Sequence, residues 1–133
     1  MRDTRPSGLK FTSLERAVLR AICERYLMDR ATLECQISSA TILKSENTGA
    51  GFYTYCAVDR TSNAPVEGLN LRHGPMAKID GLDHGMGFIL WLKDGYLDCL
   101  EGYSYEENTT AVVLEHAVFD MVDDPVKRSD RPK

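Results

Sequence analysis

The sequence predicts an α+β fold in which an N-terminal helix or helix pair packs on an antiparallel sheet of about four to six strands. Three observations lead there. Apolar residues recur at helical spacing from Leu14 to Tyr26. Runs rich in β-branched and aromatic residues fill the chain from Thr41 onward, and short glycine-bearing turns separate them. The length of 133 residues fits one domain, divided as a flexible lead over 1–11, the α+β domain over 12–123 and a charged tail over 124–133.

The elements follow in order. Thr12-Ser13-Leu14-Glu15 reads as a capping box, in which the threonine hydroxyl and the glutamate carboxylate each serve a free backbone N–H. Behind it Leu14, Val18, Ile22 and Tyr26, joined by Ala17 and Ala21, form one apolar face of a helix over residues 13–28. Asp29 is placed to cap a second, shorter helix through Leu33 and Ile37, although the β-branched Thr32 and Ile37 leave 30–38 open to a strand. Thr41–Lys44 and Phe52–Val58 read as an antiparallel hairpin turned by Asn47-Thr48-Gly49-Ala50-Gly51. Residues 59–75 are polar, contain Pro65, Gly68, Gly74 and Pro75, and read as a long loop.

The sharpest local signal is Asp94-Gly95 between Phe88–Lys93 and Tyr96–Glu101, the pattern of a two-residue hairpin turn. Strict alternation from that turn sets Leu92 opposite Leu97, Leu90 opposite Cys99 and Phe88 opposite Glu101. Glu101 then falls on the more apolar face near a strand end. It is either frayed into solvent or a partly buried carboxylate with a shifted pKa and a role in binding. A last strand is expected over 117–122, with Val112-Val113-Leu114 extending it or forming an element of its own.

The net charge of −4 is unevenly spread. Residues 1–30 hold seven basic and four acidic groups. From Asp94 to Asp124 there is no Lys or Arg, and nine acids stand there instead. An acidic surface repels phosphate backbones, which disfavours nucleic acid as a partner. No apolar run approaches the ~18 residues of a membrane helix, and Met1 to Gly8 shows no apolar core of a secretory signal. The four cysteines, Cys23, Cys35, Cys56 and Cys99, form no C-x-x-C pair and read as buried structural thiols. These features together predict a cytoplasmic protein.

Candidate chemistry is thin. His73, His84 and His116 with Asp80 and Asp83 match no helical or finger-type metal spacing, and no metal or cofactor is expected. The glycine-rich runs 48–51 and 81–87 lead into strands and lack the Gly-Lys-Ser/Thr of a phosphate loop. There is no G-x-S-x-G elbow and no cysteine with a histidine that the sequence pairs to it.

The runs Thr48-Gly49-Ala50-Gly51-Phe52-Tyr53-Thr54, Gly81-Leu82-Asp83-His84-Gly85-Met86-Gly87-Phe88 and Asp94-Gly95 through Leu100-Glu101-Gly102-Tyr103-Ser104-Tyr105 resemble a family of small uncharacterised bacterial proteins. The resemblance spans about residues 12–105 and implies a common fold. It transfers no activity and no site residues. Tyr105-Glu106-Glu107 stands where that pattern often has Trp-Pro.

The sequence therefore favours a non-catalytic interaction module over an enzyme. Its partner-binding surface is expected at Tyr96, Asp98, Glu101, Tyr103, Tyr105, Glu106 and Glu107, where aromatic anchors alternate with acids suited to a basic protein. An immunity-type protein that neutralises a basic toxin domain is one concrete form. The competing reading is a small-molecule binder or small enzyme, with His73, Asp83, His84 and Glu101 around a pocket between the sheet and the 59–87 loop. Self-association through strand or sheet-face pairing is a third.

Overall fold

The computed structural model describes residues 10–122. The lead up to residue 9 and the tail from 123 onward lie outside the described residues. Two helices, α1 (Ser13–Arg25) and α2 (Arg30–Ser39), precede six strands: β1 (Thr41–Asn47), β2 (Gly51–Ala57), β3 (Leu71–Ile79), β4 (Met86–Lys93), β5 (Tyr96–Ser104) and β6 (Phe119–Val122). The strands form one antiparallel sheet in the order β1-β2-β5-β4-β3-β6. The α+β class is as the sequence predicts, and residues 30–38 are helical.

The capping box forms: Thr12 N donates to Glu15 Oε1 at 2.8 Å, and Glu15 N to Thr12 Oγ1 at 3.1 Å. Such a cap is worth about 1 kcal/mol. Its glutamate does more, because Oε2 accepts the Thr54 hydroxyl of β2, which is in turn 3.0 Å from Ser45 Oγ of β1. Glu15 is thereby buried yet bonded, and it pins the start of α1 over the β1–β2 side of the sheet. At the other end of α1, Ile22 packs at Gly74 beside Phe88, and Arg25 donates to the Gly74 carbonyl at 3.3 Å. The helix therefore crosses the sheet from β2 to β3.

Leu14, Val18, Leu19 and Ile22 of α1 meet Ile42, Phe52, Phe88, Leu90, Leu92, Leu97 and Leu100 in one core, with Leu33 from α2. Burying each large apolar side chain contributes roughly 1.5–3 kcal/mol. Phe11, assigned to the lead from sequence, also belongs to this core. Asp29 precedes α2 without a capping hydrogen bond from its side chain. Its carboxylate pairs with the buried Arg72 at 3.0 Å, and Arg72 also donates to the carbonyls of Glu67, Leu69 and Leu71.

Two expectations are corrected. Residues 71–79 are not loop but β3, inside the sheet between β4 and β6. Gly74 and Pro75 sit at an irregularity of register between His73 and Met76, where a residue without a ladder N–H is tolerated. The second correction concerns Glu101. The hairpin begins as expected with Leu92 opposite Leu97, but the next pair is Trp91 with Cys99, so Asp98 is an extra residue in β5. One extra residue inverts the facing of the rest of a strand. Leu100 and Gly102 turn toward the helices opposite Leu90 and Phe88, and Glu101 lies opposite Ile89 on the other face. Without the bulge a carboxylate would enter the core beside Phe88. At the C-terminal side, Leu114–His116 form a 3₁₀ turn instead of extending the last strand.

Candidate functional site: the helix-free face of the sheet

Both helices lie on one face of the sheet, and the alternate residues of each strand form the other. The register orders that face into rows. One row runs Lys44, Tyr55, Cys99, Trp91, Leu71. The next runs Glu46, Tyr53, Glu101, Ile89, His73. A third brings Tyr103 beside Gly87 and Met76. Tyr53, Tyr55, Ile89, Trp91, Glu101 and Tyr103 are each half-buried, and Met76 is 41% exposed.

Glu101 occupies the middle of this aromatic field. The Trp91 indole Nε1–H donates to its Oε1 at 2.9 Å, and the Tyr53 hydroxyl donates to its Oε2 at 3.4 Å. The neighbouring carboxylate, with burial second, pushes the Tyr53 phenol up from its ordinary value, so the hydroxyl keeps its proton as a donor. Tyr53 and Tyr55 stack at 6.0 Å between centroids and 21° between planes. The ammonium of Lys44 lies 5.5 Å from the centre of the Tyr55 ring. The ion pairs formed among the described residues, Arg30–Glu34, Arg60–Asp94 and Arg72–Asp29, give Glu101 no cationic partner.

The Tyr103 ring covers Gly87, where any Cβ would overlap it, and meets Tyr105 edge-on at 5.6 Å. On the helix side Phe52 covers Gly102 in the same manner. These two aromatic–glycine pairs give the Gly87-Phe88 and Glu101-Gly102-Tyr103 sequences a packing role across adjacent strands.

Of the residues singled out from sequence for a partner, Glu101, Tyr103 and Tyr105 come together at this face. Glu106 is exposed beside them, with φ of 62°. Glu107 instead accepts the backbone N–H groups of Asp83 and His84 at 2.8 and 2.7 Å, which lower its pKa and clamp the β3–β4 loop. Tyr96 and Asp98 lie toward the β4–β5 turn. Tyr96 is covered by Arg60 at 4.6 Å, and Asp98 is exposed at the bulge. Tyr53, Tyr55 and Trp91 were not singled out. Their signal was the alternation of aromatic residues along β2 and β4, which becomes a surface only when the strand order is known.

The alternative ligand set is divided. His73 and Glu101 flank Ile89 in one row, while Asp83 and His84 are exposed in the β3–β4 loop. Much of the 59–87 segment is itself sheet, not a roof over it. A cavity of about 230 Å³ opens on the helix side, lined by Arg16, Leu19, Cys23, Glu34 and Ile37 among others. Among the described residues no three His, Cys, Asp or Glu side chains are grouped to hold a metal ion, and no helix is long and apolar enough to cross a membrane. The chain matches no protein-family model, no curated protein and no solved structure.

Proposed function

We propose that the protein is a non-catalytic interaction module that binds a basic protein partner through the helix-free face of its sheet. The observation that carries this reading is Glu101, a carboxylate held among Trp91, Tyr53 and Ile89 without a cation from the described residues. Large aromatic side chains supply most of the energy at protein interfaces, and a central charge among them selects a partner of opposite sign. Glu46 in the same row, Asp98 at the bulge and Glu106 beyond β5 extend the negative character toward the rim. An immunity-type protein that covers a basic toxin domain is one form of such a module.

Native mass spectrometry of the protein isolated gently from its own host tests the reading, combined with association kinetics for whatever protein accompanies it. A basic protein at fixed stoichiometry, with slower and less salt-sensitive association for Glu101→Lys, is the expected result. Identical kinetics for the two proteins would sink the proposal. A small additional mass would move the function to a ligand and favour the binder or enzyme reading.

A further inference from the structure

We infer that the group this face receives is an arginine side chain of the partner, its guanidinium paired with Glu101 and stacked on the surrounding tyrosine and tryptophan rings. The inference rests on the reading above and names the chemistry of the contact.

The geometry distinguishes the two carboxylate oxygens. Oε1 is fixed by the indole at 2.9 Å, whereas Oε2 is held at 3.4 Å by a phenol that a better donor can displace. A planar fork of N–H groups approaching Oε2 keeps the indole bond intact and adds a charge-assisted one. Tyr53, Tyr55, Ile89 and Trp91 line the face as half-buried side chains, which give a compact, strongly hydrated ammonium little in return for the water it loses. A guanidinium is flat, less hydrated and stacks on aromatic faces, so it loses less water beside Ile89 and Cys99. Elsewhere in this chain guanidinium groups already lie over tyrosine rings, Arg60 over Tyr96 at 4.6 Å and Arg72 over Tyr26 at 5.4 Å.

A second copy of the chain fits less well. Glu101 is central, and a two-fold axis near it would bring two carboxylates together, whereas Lys44 lies on the edge strand β1. Like charges placed in opposition at an interface cost affinity.

Trp91 is the single tryptophan of the sequence, and its indole bonds Glu101, so its fluorescence reports occupancy directly. The full chain is titrated at low salt with three short peptides identical except for arginine, lysine or citrulline at each charged position. The arginine peptide should change Trp91 emission saturably and bind about tenfold or more tighter than the lysine peptide, a difference of about 1.4 kcal/mol. The neutral citrulline peptide should not bind. Glu101→Gln, checked for folding by circular dichroism, should weaken the arginine peptide by a similar factor. The ranking on the unmodified chain keeps the inference testable even where that variant fails to fold. Equal binding of the lysine and arginine peptides overturns the arginine assignment and leaves the basic-partner reading in place. No response to any peptide, together with a dimer in sedimentation, overturns both.

Discussion

The side chain of Gln36 on α2 acts as a short extra strand for the β4–β5 hairpin. Its Oε1 accepts Leu97 N–H at 2.9 Å, and its Nε2 donates to the carbonyls of Gly95 at 3.0 Å and Ala64 at 2.7 Å. The residue is fully buried, and one amide joins the helix, the hairpin turn and the β2–β3 connection. Each buried backbone group left unsatisfied costs about 1–3 kcal/mol. Gln36→Ala should therefore lower unfolding free energy by about 2–4 kcal/mol, since water can reach only part of the vacated space. Gln36→Glu should be no better, because a carboxylate cannot donate to two carbonyls. Urea unfolding with an unchanged slope and a lower midpoint checks both.

Gly102 is a packing position. A Cβ there would overlap the Phe52 ring and approach Met86 Cε to 2.9 Å, in a region where both neighbours are buried. Overpacking of this kind costs about 1–3 kcal/mol. Gly102→Ala should lose stability in that range, and adding Phe52→Leu should restore part of it. Additive losses in a thermal double-mutant cycle would show that the two positions are not coupled.

The cysteines should separate cleanly in reactivity. Burial pushes the Cys23 thiol up to about 11, and the Cys56 and Cys99 thiols up to about 12, from an ordinary value of 9.0. The thiolate is the reactive form, so these three are shielded by both access and protonation. Cys35 is exposed, against the sequence expectation that all four are buried. With a disulfide reagent at pH about 8, one thiol per chain should react quickly and the rest only on denaturation. Loss of the fast phase in Cys35→Ser identifies it.

The Glu107 clamp should depend on acid. Its carboxyl is lowered from the ordinary 4.5 by the two backbone N–H groups it accepts, so the folded form binds a proton less readily than the unfolded chain. The contribution is therefore complete above the ordinary glutamate value and is lost as pH falls through the lower folded value. The Glu107 titration followed at the Asp83 amide should have its midpoint below the ordinary glutamate value. Glu107→Gln should abolish that titration. A transition at or above the ordinary glutamate value would contradict the clamp.

What was legible in the sequence was what depends on near neighbours. The capping box at Thr12–Glu15, the amphipathic α1 and the turns at Asn47–Gly51 and Asp94-Gly95 all announce themselves within a few residues. β3 was hidden because Gly74-Pro75 in a strand ordinarily signals a break, and here the pair sits in a bulge. Gln36 carried no mark at all, since its partners lie 28 to 61 residues away. The candidate face was legible in composition but not in membership. The acids and tyrosines after Asp94 were visible, while the side of the sheet holding Glu101 turned on the extra residue at Asp98, and Tyr53 and Trp91 joined it only through pairing with β5.

The strand order also sets how the chain must fold. β1–β2, β3–β4 and β4–β5 are joined by short connections and can zip locally, but β2–β5 pairs Tyr53 with Glu101 across the whole β3–β4 segment. That seam requires the longest loop closure among the central pairs, and its entropy is spent before the pairing returns anything. The two locally joined parts, β1–β2 and β3–β4–β5, therefore meet along β2 and β5. The same seam bisects the aromatic face, so the rows containing Glu101 exist only once β2 and β5 are paired.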